Sequence, residues 1–251
     1  MKKGAKKWFI PLTAAAFSAG LSMVSLAAGW SQENGEWYYY TSDGGKETDA
    51  FRRSGNNWFY LGSDGTMVKS SIVEQDGNYY YVNSAGAMVS NEWREVANED
   101  GGDGEPDTWW YYLQSNGRAV KNSGSDSVKI VTLPTLAGNA KFIFDEDGHM
   151  LTGWISEDGE MLTGDDAWQN GVYYCDPENG GRMVNGAWKY LTAEDGSRYE
   201  PFEYDGKEYL INTSGKIMKK RKNIKDADDR YYCTDSEGVI TYSGYEKYKE
   251  D

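Results

Sequence analysis

Hydrophobic positions in this chain alternate in short aromatic bursts and show no helical period. Trp37-Tyr38-Tyr39-Tyr40, Trp58-Phe59-Tyr60 and Tyr79-Tyr80-Tyr81 each read as a brief strand with successive side chains on opposite faces. Each burst is preceded by a glycine (Gly35, Gly55, Gly77) and followed by a polar turn ending in glycine: Ser42-Asp43-Gly44, Ser63-Asp64-Gly65, Ser84-Ala85-Gly86. Glycine at both points supplies the positive φ that tight reversals require. The elements predicted are β-hairpins, with helix content near zero.

The bursts recur at a fixed interval. Trp37 to Trp58 and Trp58 to Tyr79 are each 21 residues, as are Gly44 to Gly65 and Gly65 to Gly86. A two-stranded hairpin is marginal alone in water, so such units must bury their faces on one another. The expected fold is all-β, a solenoid of stacked β-hairpin repeats after an N-terminal signal peptide. Residues 28–91 form three regular 21-residue repeats, and residues 92–240 carry longer, degenerate ones. In the latter, Trp93 resumes at Trp109-Trp110-Tyr111-Tyr112 after an acid- and glycine-rich stretch, Asn98 to Asp107, read as an exposed loop. Phe142-Ile143-Phe144, then Gly153-Trp154 through Tyr173-Tyr174-Cys175, Trp188 through Tyr209-Leu210-Ile211, and Tyr231-Tyr232-Cys233 mark the later copies. Residues 241–251 read as a charged C-terminal tail.

Composition agrees with this architecture. Thirty Gly, 20 Tyr and 10 Trp leave aromatic rings to supply most of the buried apolar area. Residues 1–27 read as a secretory signal peptide. Lys2, Lys3, Lys6 and Lys7 precede an apolar run, with Ser25 and Ala27 at the minus-three and minus-one positions of a cut. Processing would leave 22 basic against 40 acidic residues, a net of −18. That sign argues against a nucleic-acid partner. With no second long apolar segment, the processed chain is not expected to span a membrane, and it is expected outside the cell, at the surface or cell wall.

The pattern Gly29-Trp30…Gly35-x-Trp37-Tyr38-Tyr39…Gly44, with Met67 and Met88 two residues after a turn glycine, resembles the choline-binding or cell-wall-binding repeat. Its relatives include the glucan-binding repeats of glucosyltransferases and the carbohydrate-binding repeats of clostridial toxins. The resemblance implies hairpin solenoids with ligand cages between repeats, where aromatic faces hold a quaternary ammonium by cation–π attraction. Carried over residue by residue, it places one cage at Trp30, Trp37 and Tyr60, flanked by Met67, and a second at Phe51, Trp58 and Tyr81. A third would begin at Ile72, which has no π face. Trp93 and Trp110 could open another, but Ile143 stands where a ring is needed; Trp154, Trp168 and Tyr174 have suitable types in an unfixed register. Alternation sets Tyr38, Phe59, Tyr80, Tyr111 and Tyr173 on the other face, as packing.

The function expected is a non-catalytic surface protein attached non-covalently to cell-wall polymer through choline or sugar units. A module for exogenous glucan or host glycan, and a protein-interaction or adhesin scaffold, are the alternatives, since exposed rings also stack on sugars. No catalytic residues, metal ligands or cofactors are expected. Most acids fall in turns, and His149 is a lone base. Cys175 and Cys233 occupy the same place in different repeats, beyond bridging reach, and are expected as free, buried thiols.

Overall fold

The computed structural model describes residues 28–99, 101–102, 105–124, 128–184, 191–192, 198–226 and 228–249. The leader expected over residues 1–27 and the repeat start at Trp188 lie outside the described residues. Five hairpins come first: β1 (Gly29–Glu33) with β2 (Glu36–Tyr40), β3 (Ala50–Ser54) with β4 (Asn57–Leu61), β5 (Ser71–Gln75) with β6 (Asn78–Val82), β7 (Glu92–Ala97) with β8 (Thr108–Leu113), and β9 (Lys129–Thr135) with β10 (Gly138–Phe144). Each pair forms its own two-stranded antiparallel sheet. A four-stranded sheet follows from β11 (Gly153–Ile155), β12 (Met161–Leu162), β13 (Tyr173–Asp176) and β14 (Arg182–Met183), interrupted by the four-residue helix α1 (Ala167–Asn170). A six-stranded sheet closes the chain: β15 (Leu191–Thr192), β16 (Arg198–Tyr204), β17 (Lys207–Asn212), β18 (Ile224–Asp226), β19 (Tyr231–Thr234) and β20 (Ile240–Gly244).

Sequence chemistry sets each reversal. Gly35, Gly55 and Gly77 have φ of +91°, +59° and +68°, values at which a side chain is strained. After the aromatic strand, a short polar side chain closes the second turn on itself. Asp64 Oδ1 accepts from the Thr66 N–H at 2.8 Å, and Asn83 Oδ1 accepts from the Ala85 and Ala87 N–H groups.

Hairpins are tied to their neighbours by one backbone bond that repeats along the chain. The N–H following a turn donates to a carbonyl of the aromatic strand in the preceding unit: Met67 to Trp37, Met88 to Trp58, Ala119 to Tyr79 and Met150 to Trp110, each at 2.8 Å. Ile217 makes the same bond to Val172 at 2.7 Å. Packing follows the same step. Met67 lies against Gly86, Met88 against Gly117, Met150 against Gly181, Met183 against Gly215 and Ile217 against Gly238, so each knob fills the space where the next turn glycine has no Cβ. The core is therefore a series of small clusters between units, such as Tyr60, Val73 and Val82, then Val89, Tyr111, Leu113 and Ala119.

The end of the chain differs from the tail expected over 241–251. Residues up to Gly244 pair with β19, and beyond them the Tyr248 N–H donates to Asn223 Oδ1 at 2.7 Å. The Tyr248 ring also meets Tyr242, which gives this charged segment an apolar anchor. Cys175 and Cys233 are both buried and unbonded, in different sheets. No helix among the described residues is long and apolar enough to cross a membrane.

Candidate functional site: aromatic gaps between hairpins

Register sorts the rings of a hairpin onto two faces. In the first, Trp30 pairs with Tyr39 and Gln32 with Trp37, so Trp30, Trp37 and Tyr39 share one face while Tyr38 and Tyr40 take the other. The second hairpin repeats this with Phe51, Trp58 and Tyr60 against Phe59 and Leu61. The first face of each hairpin packs on the second face of the next. Trp30 meets Phe59 edge-on at 5.5 Å, and Phe51 meets Tyr80 at 4.9 Å.

This stacking redraws the two expected cages by one residue. The ring that joins Trp30 from the next hairpin is Phe59 and not Tyr60, and the ring that joins Phe51 is Tyr80 and not Tyr81. Tyr60 belongs to the following gap. Its ring lies 5.0 Å from Phe51, and its hydroxyl donates to the Glu74 carbonyl at 3.1 Å. Tyr81 lies under the Arg94 guanidinium, 5.6 Å from its centroid. The physical reason is that the face turned away from one gap is the face that closes the gap before it. Phe59 and Tyr80, expected as opposite-face packing, are thus gap residues. Met67 is buried and packs on the Gly86 turn. We number the gaps by their first hairpin, so that gap 1 holds Trp30, Trp37, Tyr39 and Phe59, and gap 2 holds Phe51, Trp58, Tyr60 and Tyr80.

The same one-residue shift supplies rings to a gap that Ile143 would have left without them. In gap 4, Trp93 meets Tyr112 at 5.2 Å and Phe142 at 4.7 Å, and its indole N–H donates to the Pro134 carbonyl at 3.2 Å. Trp110 shares that face and is 38% exposed; Trp58, its counterpart in gap 2, is 42% exposed. These are the most accessible tryptophan rings among the described residues. Trp154 is the opposite case. Tyr174, Phe202, Tyr204 and Tyr209 surround it at 4.9–5.9 Å and leave it 3% exposed, so its gap is filled core. Trp168, on α1, carries the Lys207 ammonium 3.6 Å above its ring.

Gap 3 has a different character. Ile72 replaces the leading ring, and Tyr79 donates its hydroxyl to Asp147 Oδ1 at 2.8 Å. That bond, with burial, pushes the Tyr79 phenol up to about 12. Burial likewise pushes the Tyr111 phenol well above the usual tyrosine range. A cavity of about 1160 Å³ opens here, where Trp109 stacks on His149 at 4.2 Å beneath an acidic wall that includes Glu95, Asp145 and Glu160. Asp145, Asp147 and His149 bring potential metal-ligand atoms within 4.8 Å of one another. Both Asp145 oxygens and one of Asp147 are engaged within the chain: Asp145 Oδ1 accepts from the His149 N–H, Oδ2 pairs with His149 Nδ1 at 2.8 Å, and Asp147 Oδ1 accepts from the Tyr79 hydroxyl.

Comparison with known proteins bears on the repeats and the fold. The family described as choline-binding repeat matches residues 48–93, and that described as cell wall binding repeat matches residues 28–45. No curated protein matches the chain. Choline binding protein F from Streptococcus pneumoniae, solved with a peptidoglycan analogue, is similar at 22% identity over 86% of this chain and 58% of its own, with a TM-score of 0.50, a likeness of fold. CbpJ from Streptococcus pneumoniae is similar at 22% identity over 76% of this chain and 48% of its own, with a TM-score of 0.42. The chain therefore spans about half the length of these two relatives. The choline binding domain of Spr1274 from Streptococcus pneumoniae is similar at 33% identity, matched over 99% of its length and 39% of this chain, with a TM-score of 0.28. Residues 28–45 and 48–93 of this chain are thus matched as cell-wall-binding and choline-binding repeats.

Proposed function

We propose that this protein is a non-catalytic surface protein that attaches to choline-bearing cell-wall polymer through aromatic gaps between the hairpins of a solenoid. The observation that carries the reading is the pair of gaps at Phe51–Trp58–Tyr80 and Trp93–Trp110–Phe142, each with one well-exposed tryptophan beside edge-packed rings. A quaternary ammonium donates no strong hydrogen bond, so π faces in a partly dry slot are its natural partners, at about 1–2 kcal/mol per desolvated ring. The net charge of −14 favours a cationic ligand over an anionic one. Export fits the reading, because the charged-then-apolar start of the chain has the form of a cleaved leader.

The test is elution. Protein adsorbed to cell walls that carry phosphocholine is washed with free choline, with sodium chloride at equal ionic strength, or with soluble polysaccharide. Release by choline alone is the expected result. Release by the polysaccharide, or equally by salt, would replace this reading with glycan stacking or plain ion exchange.

A further inference from the structure

One strand position that faces into the gaps alternates in character from each gap to the next. The residue paired across the hairpin from Phe59, Tyr80, Tyr111 and Phe142 is Arg52, Val73, Arg94 and Val131, respectively. All four are equivalent by register, and each stands beside the ring that closes the preceding gap. Arginine occupies gaps 1 and 3; valine occupies gaps 2 and 4.

Each arginine is placed as a bound cation would be. The Arg52 guanidinium lies 5.5 Å from the Tyr39 centroid and pairs with Glu47 at 2.5 Å, and its Nη1 donates to the Phe51 carbonyl at 3.0 Å. The Arg94 guanidinium lies 5.6 Å from the Tyr81 centroid and pairs with Glu92 at 2.6 Å. Gap 3 holds a further cation, Lys121, whose ammonium is 5.2 Å from the Tyr79 centroid. Among the described residues, no cation of the chain stands over the rings of gap 2 or gap 4. Arg53 faces gap 2 across from Trp58, but its Nε donates to the Gly55 carbonyl at 2.9 Å, and Arg118 touches the rim as a donor to the Tyr80 hydroxyl at 3.2 Å; Lys129 stands at the edge of gap 4 across from Phe144.

We infer that this strand position decides which gaps accept an external cation. Arg52 and Arg94 are built-in occupants that satisfy their rings and repel a second positive charge, whereas Val73 and Val131 pack against their rings without bringing a charge, so the exposed Trp58 and Trp110 are left to meet a ligand at the mouths of gaps 2 and 4. The inference rests on the proposed choline reading and sharpens it: the accepted ligand is a quaternary ammonium, and it enters alternate gaps. The exposures of Trp58 and Trp110, one in each valine gap, agree with this assignment. Removing Arg52 would do more than clear space. Glu47, whose carboxylate is only 16% exposed, would be left beside the rings of gap 1 as a counter-charge for an incoming ligand.

The experiment counts sites by calorimetric titration of the full chain with choline. Arg52→Val should raise the stoichiometry by one relative to the unsubstituted protein, and Arg52→Lys, which keeps a cation in place, should not. Val73→Arg should lower it by one. Because Val73 is buried, circular dichroism and a melting curve accompany that variant, and Trp58→Ala, which should weaken the same site without burying a charge, is measured beside it. An unchanged stoichiometry in Arg52→Val, or an equal gain in Arg52→Lys, would overturn the inference while leaving choline binding intact. If the unsubstituted chain takes up no choline, the functional reading fails and the assignment of alternate gaps falls with it.

Discussion

Gly238→Ala puts the interlocking of successive units to a direct stability test. Gly238 has φ +95°, and a Cβ there would stand 2.4 Å from Cγ2 of Ile217. Two costs follow. A left-handed backbone costs a residue with a Cβ about 1–2 kcal/mol. Overpacking a filled site costs a further 1–3 kcal/mol or so. Ile217 is 4% exposed and β-branched, so it has no free rotamer into which to retreat. The sum is roughly 2–5 kcal/mol. Two other glycines separate the terms. Gly77 has φ +68° and nothing within 4 Å of its would-be Cβ, so Gly77→Ala should show the backbone cost alone. Gly86 has φ +79°, and its Cβ would meet the Met67 thioether at 2.9 Å. A methionine tip can move, so Gly86→Ala should fall between the other two. Urea denaturation monitored by tryptophan fluorescence gives all three values. If Gly238→Ala costs no more than Gly77→Ala, the contact between turn glycine and preceding knob does not hold the units together.

Alkaline stability follows from the buried phenols. Tyr79 is pushed from the usual 10 to about 12, first by its bond to Asp147, and Tyr174, Tyr209 and Tyr232 reach about 12, first through burial. A raised folded value means that stability is fully present below pH 10 and is lost as pH climbs from 10 through about 12. Denaturation midpoints that stay flat across that window would contradict the burial of these rings. The Cys175 thiol is pushed up to about 12 by burial and Cys233 is shielded from solvent, so an aromatic disulfide reagent at pH 8 should label neither in the native chain and both in denaturant. Rapid native labelling, or a two-hydrogen mass change on reduction, would refute the two buried free thiols. Trp154→Ala should cost about 3–5 kcal/mol of stability, as for other buried aromatics, yet leave choline affinity unchanged in whatever fraction remains folded. A specific loss of affinity would mean that the filled gap is a binding site after all.

The hairpins were legible in the sequence because local chemistry fixes them: glycine at positive φ, a short polar residue that closes its own turn, and alternating rings between. The partners across each gap were not. Whether Phe59 or Tyr60 meets Trp30 depends on how one hairpin is turned relative to the next, and alternation within a strand carries no record of that rotation. One residue of shift moves every ring to the other face, and the same shift hid Phe142 behind Ile143 in gap 4. The plug around Trp154 comes from Phe202 and Tyr204, some 50 residues away, a distance no local pattern spans. Nothing local marks Arg52 and Arg94; only the register and the stacking set them over Tyr39 and Tyr81.

Choline and its uncharged isostere 3,3-dimethylbutanol share a shape and differ in charge, and titrating residues 28–251 with each tests the central claim most directly. Tryptophan fluorescence should respond to choline and not to the isostere. Trp58→Ala and Trp110→Ala should each weaken binding at their own gap by about 1–2 kcal/mol, the scale of a desolvated cation–π contact. Equal responses to the two ligands, or no response to either, would contradict a quaternary-ammonium site between the hairpins.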